Sequence, residues 1–157
     1  MADDAPMDRP RIDELRTRLA DSEAERRTLL DILDLVPFYL YAIDEEGRYK
    51  LANREVAEDL GHTTESIKTV RFQDVSPDPE QSQALVDEVR AKLDAGIPIV
   101  TRDVRLRVNR IGDAVMDLFE APFTDADGKR WLLGIGRDKS SEVELEQLTR
   151  RPVAVDA

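Results

Sequence analysis

The chain has 157 residues, room for one domain with extensions, and at 41% hydrophobic and 36% charged it can bury a core beneath a heavily charged surface. Cysteine is absent, which excludes disulfides, thiolate metal ligands and thiol nucleophiles. Its net charge of −11, from 34 acidic against 23 basic residues, disfavours a phosphate-binding face, so nucleic acid is not an expected partner.

Lysine stands only at Lys50, Lys68, Lys92, Lys129 and Lys139. An acidic, lysine-poor surface without cysteine reads as halophilic, because concentrated salt screens its self-repulsion. No apolar run approaches the ~20 residues that cross a bilayer. The start is polar and lacks a signal-peptide core, so membrane insertion is not expected and a cytoplasmic location is.

Met1 to Pro10 is polar, holds two prolines and reads as disordered. From residue 11 to 36, Ile12, Leu15, Leu19, Ser22, Arg26, Leu29, Leu33 and Val36 recur at steps of three and four. Six of these eight are apolar, so the spacing predicts an amphipathic helix with a heptad seam interrupted at Ser22 and Arg26. The seam suits a short coiled coil, and with it a homodimer; a helix packed on its own domain is the alternative. Pro37 ends it.

Phe38 to Asp44 is aromatic and β-prone, Glu45-Glu46-Gly47 is a turn, and Arg48 to Ala52 is the hairpin partner. Asn53 stands as N-cap of a helix that Gly61 closes after Leu60. Phe72 to Pro77 reads as a connecting turn. Asp78 caps a long helix over Pro79 to Ala95, with Leu85, Val86, Val89 and Leu93 on one stripe and Gly96 as its stop.

Ile99 to Val108 is a long strand with Val104, Leu106 and Val108 on one face and Arg105 and Arg107 on the other. The next strand, Ala114 to Phe123, turns inward either Val115, Asp117 and Phe119 or Met116, Leu118 and Glu120. Asp127-Gly128 marks a tight turn into a last strand through Trp131 to Ile135. Asp138, Ser140 and Ser141 are candidate N-caps of a final helix that Arg150-Arg151-Pro152 halts, leaving a tail over 151–157.

The order ββαααβββ, with Asp44-x-x-Gly47, Asn53-x-x-Val56-x-x-x-Leu60-Gly61, Pro122-x-x-Asp125-x-x-Gly128 and a closing Asp138-Lys139-Ser140, resembles a PAS domain over Leu35 to Leu148. Two departures stand out. His62 opens a stretch to Ile67 that matches the family's second, short helix but stands where the family usually has an aromatic residue, and Lys139 replaces the apolar middle residue of the family's terminal Asp-Ile/Val-Thr. The resemblance implies an α+β PAS fold: a five-stranded antiparallel sheet, over 37–138, with helices on one face. It also implies a C-terminal signalling helix over 139–150.

By the same resemblance the chain is a sensory or dimerisation module of a signal-transduction protein, of the kind found in histidine kinases and haloarchaeal transducers and regulators. It lacks kinase motifs, is expected to be non-catalytic by itself, and would pass its signal to a kinase or other output domain. A freestanding small-molecule or flavin carrier is the alternative.

Few residues invite chemistry. His62 is the single histidine and reads as a surface or capping residue. The long helix has no histidine to ligate haem, so no cofactor is expected, a noncovalent small ligand or flavin being the alternative. Asp44, Glu45, Glu46, Asp125 and Asp127 read as solvated turn acids and no metal site is expected; Arg102, Arg105 and Arg107 read as solvent-facing. The resemblance places a cup between sheet and long helix, with Tyr41, Val56, Leu60, Phe72, Val86, Leu106 and Leu133 as its expected walls. A filled hydrophobic core there is the plainer alternative. Asp138, with Ser140, is expected to couple the last strand to the final helix.

Overall fold

Two Asp-x-x-Gly turns shape the hairpins. In each, the first aspartate carboxylate accepts backbone N–H groups two and four residues on: Glu46 and Arg48 bond Asp44, while Asp127 and Lys129 bond Asp125, all at 2.9–3.0 Å. The glycine closing each turn has positive φ, +81° at Gly47 and +79° at Gly128, where a side chain would be strained.

A computed structural model of the chain describes residues 9–75, 79–109 and 112–150. The expected disordered lead up to residue 8, the Asp78 cap and the 151–157 tail lie outside the described residues. Packing divides the chain into two units, up to Val36 and from Pro37 onward. The first unit is helix α1, Arg9–Leu35. It begins two residues before the expected start, with Pro10 in its first turn, where a missing N–H costs little. None of its residues is buried, and the seam residues Leu15, Leu19 and Leu29 are exposed.

The second unit is a five-stranded antiparallel sheet with helices packed on one face. Its elements are β1 Tyr39–Asp44, β2 Tyr49–Ala52, α2 Arg54–Asp59, a 3-10 turn at Ser66–Thr69, α3 Phe72–Val75, α4 Pro79–Ala95, β3 Ile99–Val108, β4 Gly112–Thr124, β5 Arg130–Asp138 and α5 Ser140–Arg150. The strand order is β2-β1-β5-β4-β3, so the first and last strands of the chain pair at the centre. A one-turn helix, α3, stands where the sequence suggests a plain connection. No helix among the described residues is long and apolar enough to cross a membrane.

Asn53 fastens β1 to α2. It is 1% exposed, and its Oδ1 accepts the N–H of Leu40 (3.2 Å) and of Val56 (3.3 Å) while its Nδ2 donates to the Phe38 carbonyl (2.7 Å). One side chain thus caps a helix and serves a strand.

Register decides the face of β4 that the sequence leaves open. Tyr41 lies opposite Gly134, which lies opposite Glu120; Tyr39, Gly136 and Leu118 form the next row. Met116, Leu118 and Glu120 therefore share the helix-covered face. Within the rows, Gly134 has no side chain because the Tyr41 phenol lies across it, and any Cβ there would overlap that ring.

Gly134→Ala should lower stability by about 1–3 kcal/mol through this overlap. Tyr41→Leu added to the same chain should recover part of the loss. Urea unfolding of the three variants checks it, and equal stability of wild type and Gly134→Ala contradicts the packing.

Candidate functional site

Between the sheet and the helices the core divides. One buried cluster gathers Ile43, Tyr49, Val56, Ile67, Val89 and Leu132; a second gathers Val108, Ala114 and Met116. Between them lies a cavity of about 320 Å³, at the small end of ligand pockets, which run ~300–1,000 Å³. All three tyrosines of the chain, Tyr39, Tyr41 and Tyr49, line it with Phe72. Tyr49 packs edge-on against both Tyr41 and Phe72, each at 6.4 Å between ring centres.

Of the expected wall residues, Tyr41, Val56, Leu60, Phe72 and Leu106 line the cavity. Val86 and Leu133 do not. Val86 is buried on the side of α4 that meets the β1–β2 turn, where its methyl would lie 3.2 Å from a Cβ at Gly47. Leu133 sits on the opposite face of the sheet, because β5 alternates and its inward residues are Leu132, Gly134 and Gly136. Sequence reasoning missed Tyr39 and Tyr49, although Tyr39 stands two residues before Tyr41 on the same strand face.

It also missed a polar pair at the cavity floor. Glu120 of β4 is 6% exposed, and its carboxylate accepts Lys92 Nζ of α4 at 2.8 Å. Burial, and then the Glu120 carboxylate, push the Tyr41 phenol above its ordinary range. Burial does the same to Tyr49, followed by Tyr41 and Asp59. Both phenols are therefore neutral hydrogen-bonding groups at physiological pH. The helix that carries Lys92 is held elsewhere too: Arg90 donates to the Glu45 carbonyl (3.1 Å), and Arg130 bridges Asp94 (2.8 Å) and Glu45.

His62 Nδ1 lies 3.0 Å from the Ser66 hydroxyl, beside a reciprocal pair in which Thr63 and Ser66 cap each other's backbone N–H groups. Its setting is a local cap, away from the cavity lining.

A second constellation lies at the strand-to-helix joint. Asp138 Oδ1 accepts the N–H (2.9 Å) and the hydroxyl (2.6 Å) of Ser140, and the Ser140 hydroxyl oxygen accepts the Val115 N–H (3.0 Å). Between them Lys139 donates its N–H to the Val115 carbonyl (2.9 Å). Its ammonium reaches Asp103 (2.8 Å) and Asp117 (3.5 Å). Asp103 stands in an irregular stretch of β3 between Thr101 and Val104, with φ +56°, and its N–H donates to Asp117 Oδ1 (3.1 Å). Thr101 and Val104, on either side, line the cavity. The residue that departs from the family pattern is thus the one that ties the joint to β3.

The joint has a pH window. The Asp103 N–H, and then Lys139, hold Asp117 below its ordinary 3.8, so its contribution is whole above that value and lost as pH falls through the lowered pKa. Asp103, and then Asp117, raise Lys139 above 10.5, so its contribution is whole below that value and lost as pH rises through the raised pKa. A spin label on Glu144→Cys, the single thiol of that chain, should report an α5 of constant mobility between these limits and a looser one outside them. Lys139→Met should loosen α5 at neutral pH with the sheet's amide exchange unchanged. An unaltered label spectrum contradicts the tie.

The family model described as PAS fold matches residues 33–144. No curated protein sequence matches the chain. Among solved structures, Vibrio cholerae VqmA is 16% identical with a TM-score of 0.62, over 76% of this chain and 55% of that one. The PAS domain of Bordetella pertussis BvgS is 19% identical with a TM-score of 0.60, over 80% and 94%. The PAS domain of an HTR-like protein from Haloarcula marismortui is 16% identical with a TM-score of 0.56, over 78% and 98%. These are likenesses of fold, and the chain spans only a little over half the length of VqmA. With the family model matching most of its length, and sheet order, capping asparagine and turn chemistry in agreement, the chain belongs to the PAS fold family.

Proposed function

We propose that this chain is the sensory module of a cytoplasmic signal-transduction protein of the histidine kinase or transducer kind. It binds a small molecule noncovalently in the cup and passes the occupied state to α5. It acts by binding and relay, with no catalytic step of its own. The observation that carries the reading is the cavity itself, an aromatic-walled space of about 320 Å³ where a filled core would otherwise stand. Neighbours of the same fold support it: one VqmA structure is described as bound to DPO, and others come from HTR-like proteins. The surplus of acids suits concentrated salt.

Relay follows from strand geometry. A molecule in the cup presses on Thr101 and Val104, and the Asp103 carboxylate between them holds Lys139 at the start of α5. A population shift at β3 is then a population shift at the output helix.

Methyl NMR of the full chain against a library of small fragments tests the reading. Val89, Val104 and Met116 should shift together and saturably with at least one fragment. No saturable shift from any fragment at millimolar concentration means a cavity that binds nothing and ends the proposal. The purified protein should be colourless; absorbance above 350 nm that is lost with released flavin on denaturation favours the carrier alternative.

Dimerisation belongs to the same proposal. The exposed seam of Leu15, Leu19 and Leu29 pairs with that of a second copy as a short coiled coil. Sedimentation should show a dimer at micromolar concentration and a folded monomer after removal of residues up to 34. A monomeric full chain at high micromolar concentration contradicts it.

A further inference from the structure

The cup's charge is unbalanced. Among the described residues lining it, three are acids, Asp59, Glu120 and, at the exposed rim, Glu88, and one is a base, Lys92. Asp59 is engaged by the Asn109 N–H at 3.3 Å. That leaves two carboxylates for one ammonium. Lys92 is bonded to Glu120, and Glu88 makes no ion pair among the described residues. Glu88 stands four residues before Lys92 on α4, the favourable order for a Glu–Lys pair on one helix face.

Around this sit four aromatic rings, Tyr39, Tyr41, Tyr49 and Phe72, whose faces attract a cation. The Tyr41 phenol lies across Gly134, whose partner on β4 is Glu120.

Each class of ligand meets a different cup. An anion meets surplus negative charge and a single cation already engaged. A neutral molecule leaves the imbalance as it is. A molecule carrying one positive charge removes it, provided Lys92 has another partner, and Glu88 is in place to be one. The lysine stem is long and freely rotating, so the exchange needs no backbone movement.

Resting on the sensory reading above, we propose that the cup recognises a small primary amine on an aromatic or branched apolar body. The ligand's ammonium takes the Glu120 carboxylate, the rings of Tyr41 and Tyr49 hold its apolar part, and the displaced Lys92 pairs with Glu88. In the empty protein Lys92 occupies the seat of the ligand's ammonium and is its internal competitor.

Three probes with one body and different charge test this on the full chain: phenethylamine, 2-phenylethanol and phenylacetate, titrated against the Val104 and Met116 methyl signals. Phenethylamine should bind about tenfold more tightly than the alcohol, the worth of one charge-assisted hydrogen bond. Phenylacetate should not saturate. Lys92→Met should tighten the amine further, because the competitor is gone, and Glu120→Gln should abolish the preference. The double variant Lys92→Met/Glu120→Gln leaves no unpaired buried charge; it should stay folded and bind amine and alcohol alike. Equal binding of amine and alcohol by the wild type, or preference for phenylacetate, overturns the amine assignment and leaves the sensory reading standing. Methyl signals unmoved by all three probes overturn the assignment, and the fragment library then decides the sensory reading separately.

Discussion

The ion pair between Lys92 and Glu120 joins α4 to the sheet across the cavity floor. It crosses a space where apolar contact is incomplete, and both partners sit largely out of water. Breaking such a pair by removing one member leaves a buried charge and costs about 3–5 kcal/mol, whereas replacing both by apolar groups is often tolerated. The pair therefore constrains the helix position more than it adds to stability. With Arg90 and Arg130 fastening α4 to the β1–β2 turn and to β5, polar ties add to the packing of Val89 and Leu93 in holding the helix over the sheet, and the two apolar clusters remain apart.

The floor of the cup owes its shape to absent side chains. Gly134 gives the Tyr41 phenol room to lie along the sheet, and at Gly136 a Cβ would crowd the Met116 methyl at 2.7 Å. Removing side chains at the centre of a sheet weakens it locally. Here the loss is matched by aromatic rings that cover the vacant rows and line a cavity. A cup that binds a molecule needs such a deliberate shortage of packing atoms.

Cup and joint share a stretch of β3. Thr101 and Val104 face the cavity, and Asp103 between them faces Lys139 and Asp117. The positive φ of Asp103 is uncommon for a residue with a side chain, and its N–H and carboxylate are both bonded to the joint. Substitution of lysine for the family's usual apolar residue exchanges a packing contact for a charged one. The joint is then held by two carboxylates as well as by backbone hydrogen bonds.

Much of this was legible along the chain because it is local. The Asp-x-x-Gly turns, the Asn53 cap, the Gly96 stop and the period-two alternation of β3 from Val104 to Val108 each depend on residues within a few positions of one another. Their order sufficed to indicate the family, and five of seven expected wall residues line the cavity. What sequence could not settle depends on register between distant strands. Whether Glu120 or Phe119 turns inward follows from Gly134 lying opposite Glu120, and that Leu133 faces away follows from the same pairing. A shift of one residue would reverse every assignment, since side chains alternate between faces. The meeting of Lys92 with Glu120, 28 residues apart, and of Lys139 with Asp103 exists only once α4, β3 and β4 are assembled. Local sequence determined the elements and their punctuation; tertiary structure alone decided which charges would be buried together, because burial is a property of the assembled sheet.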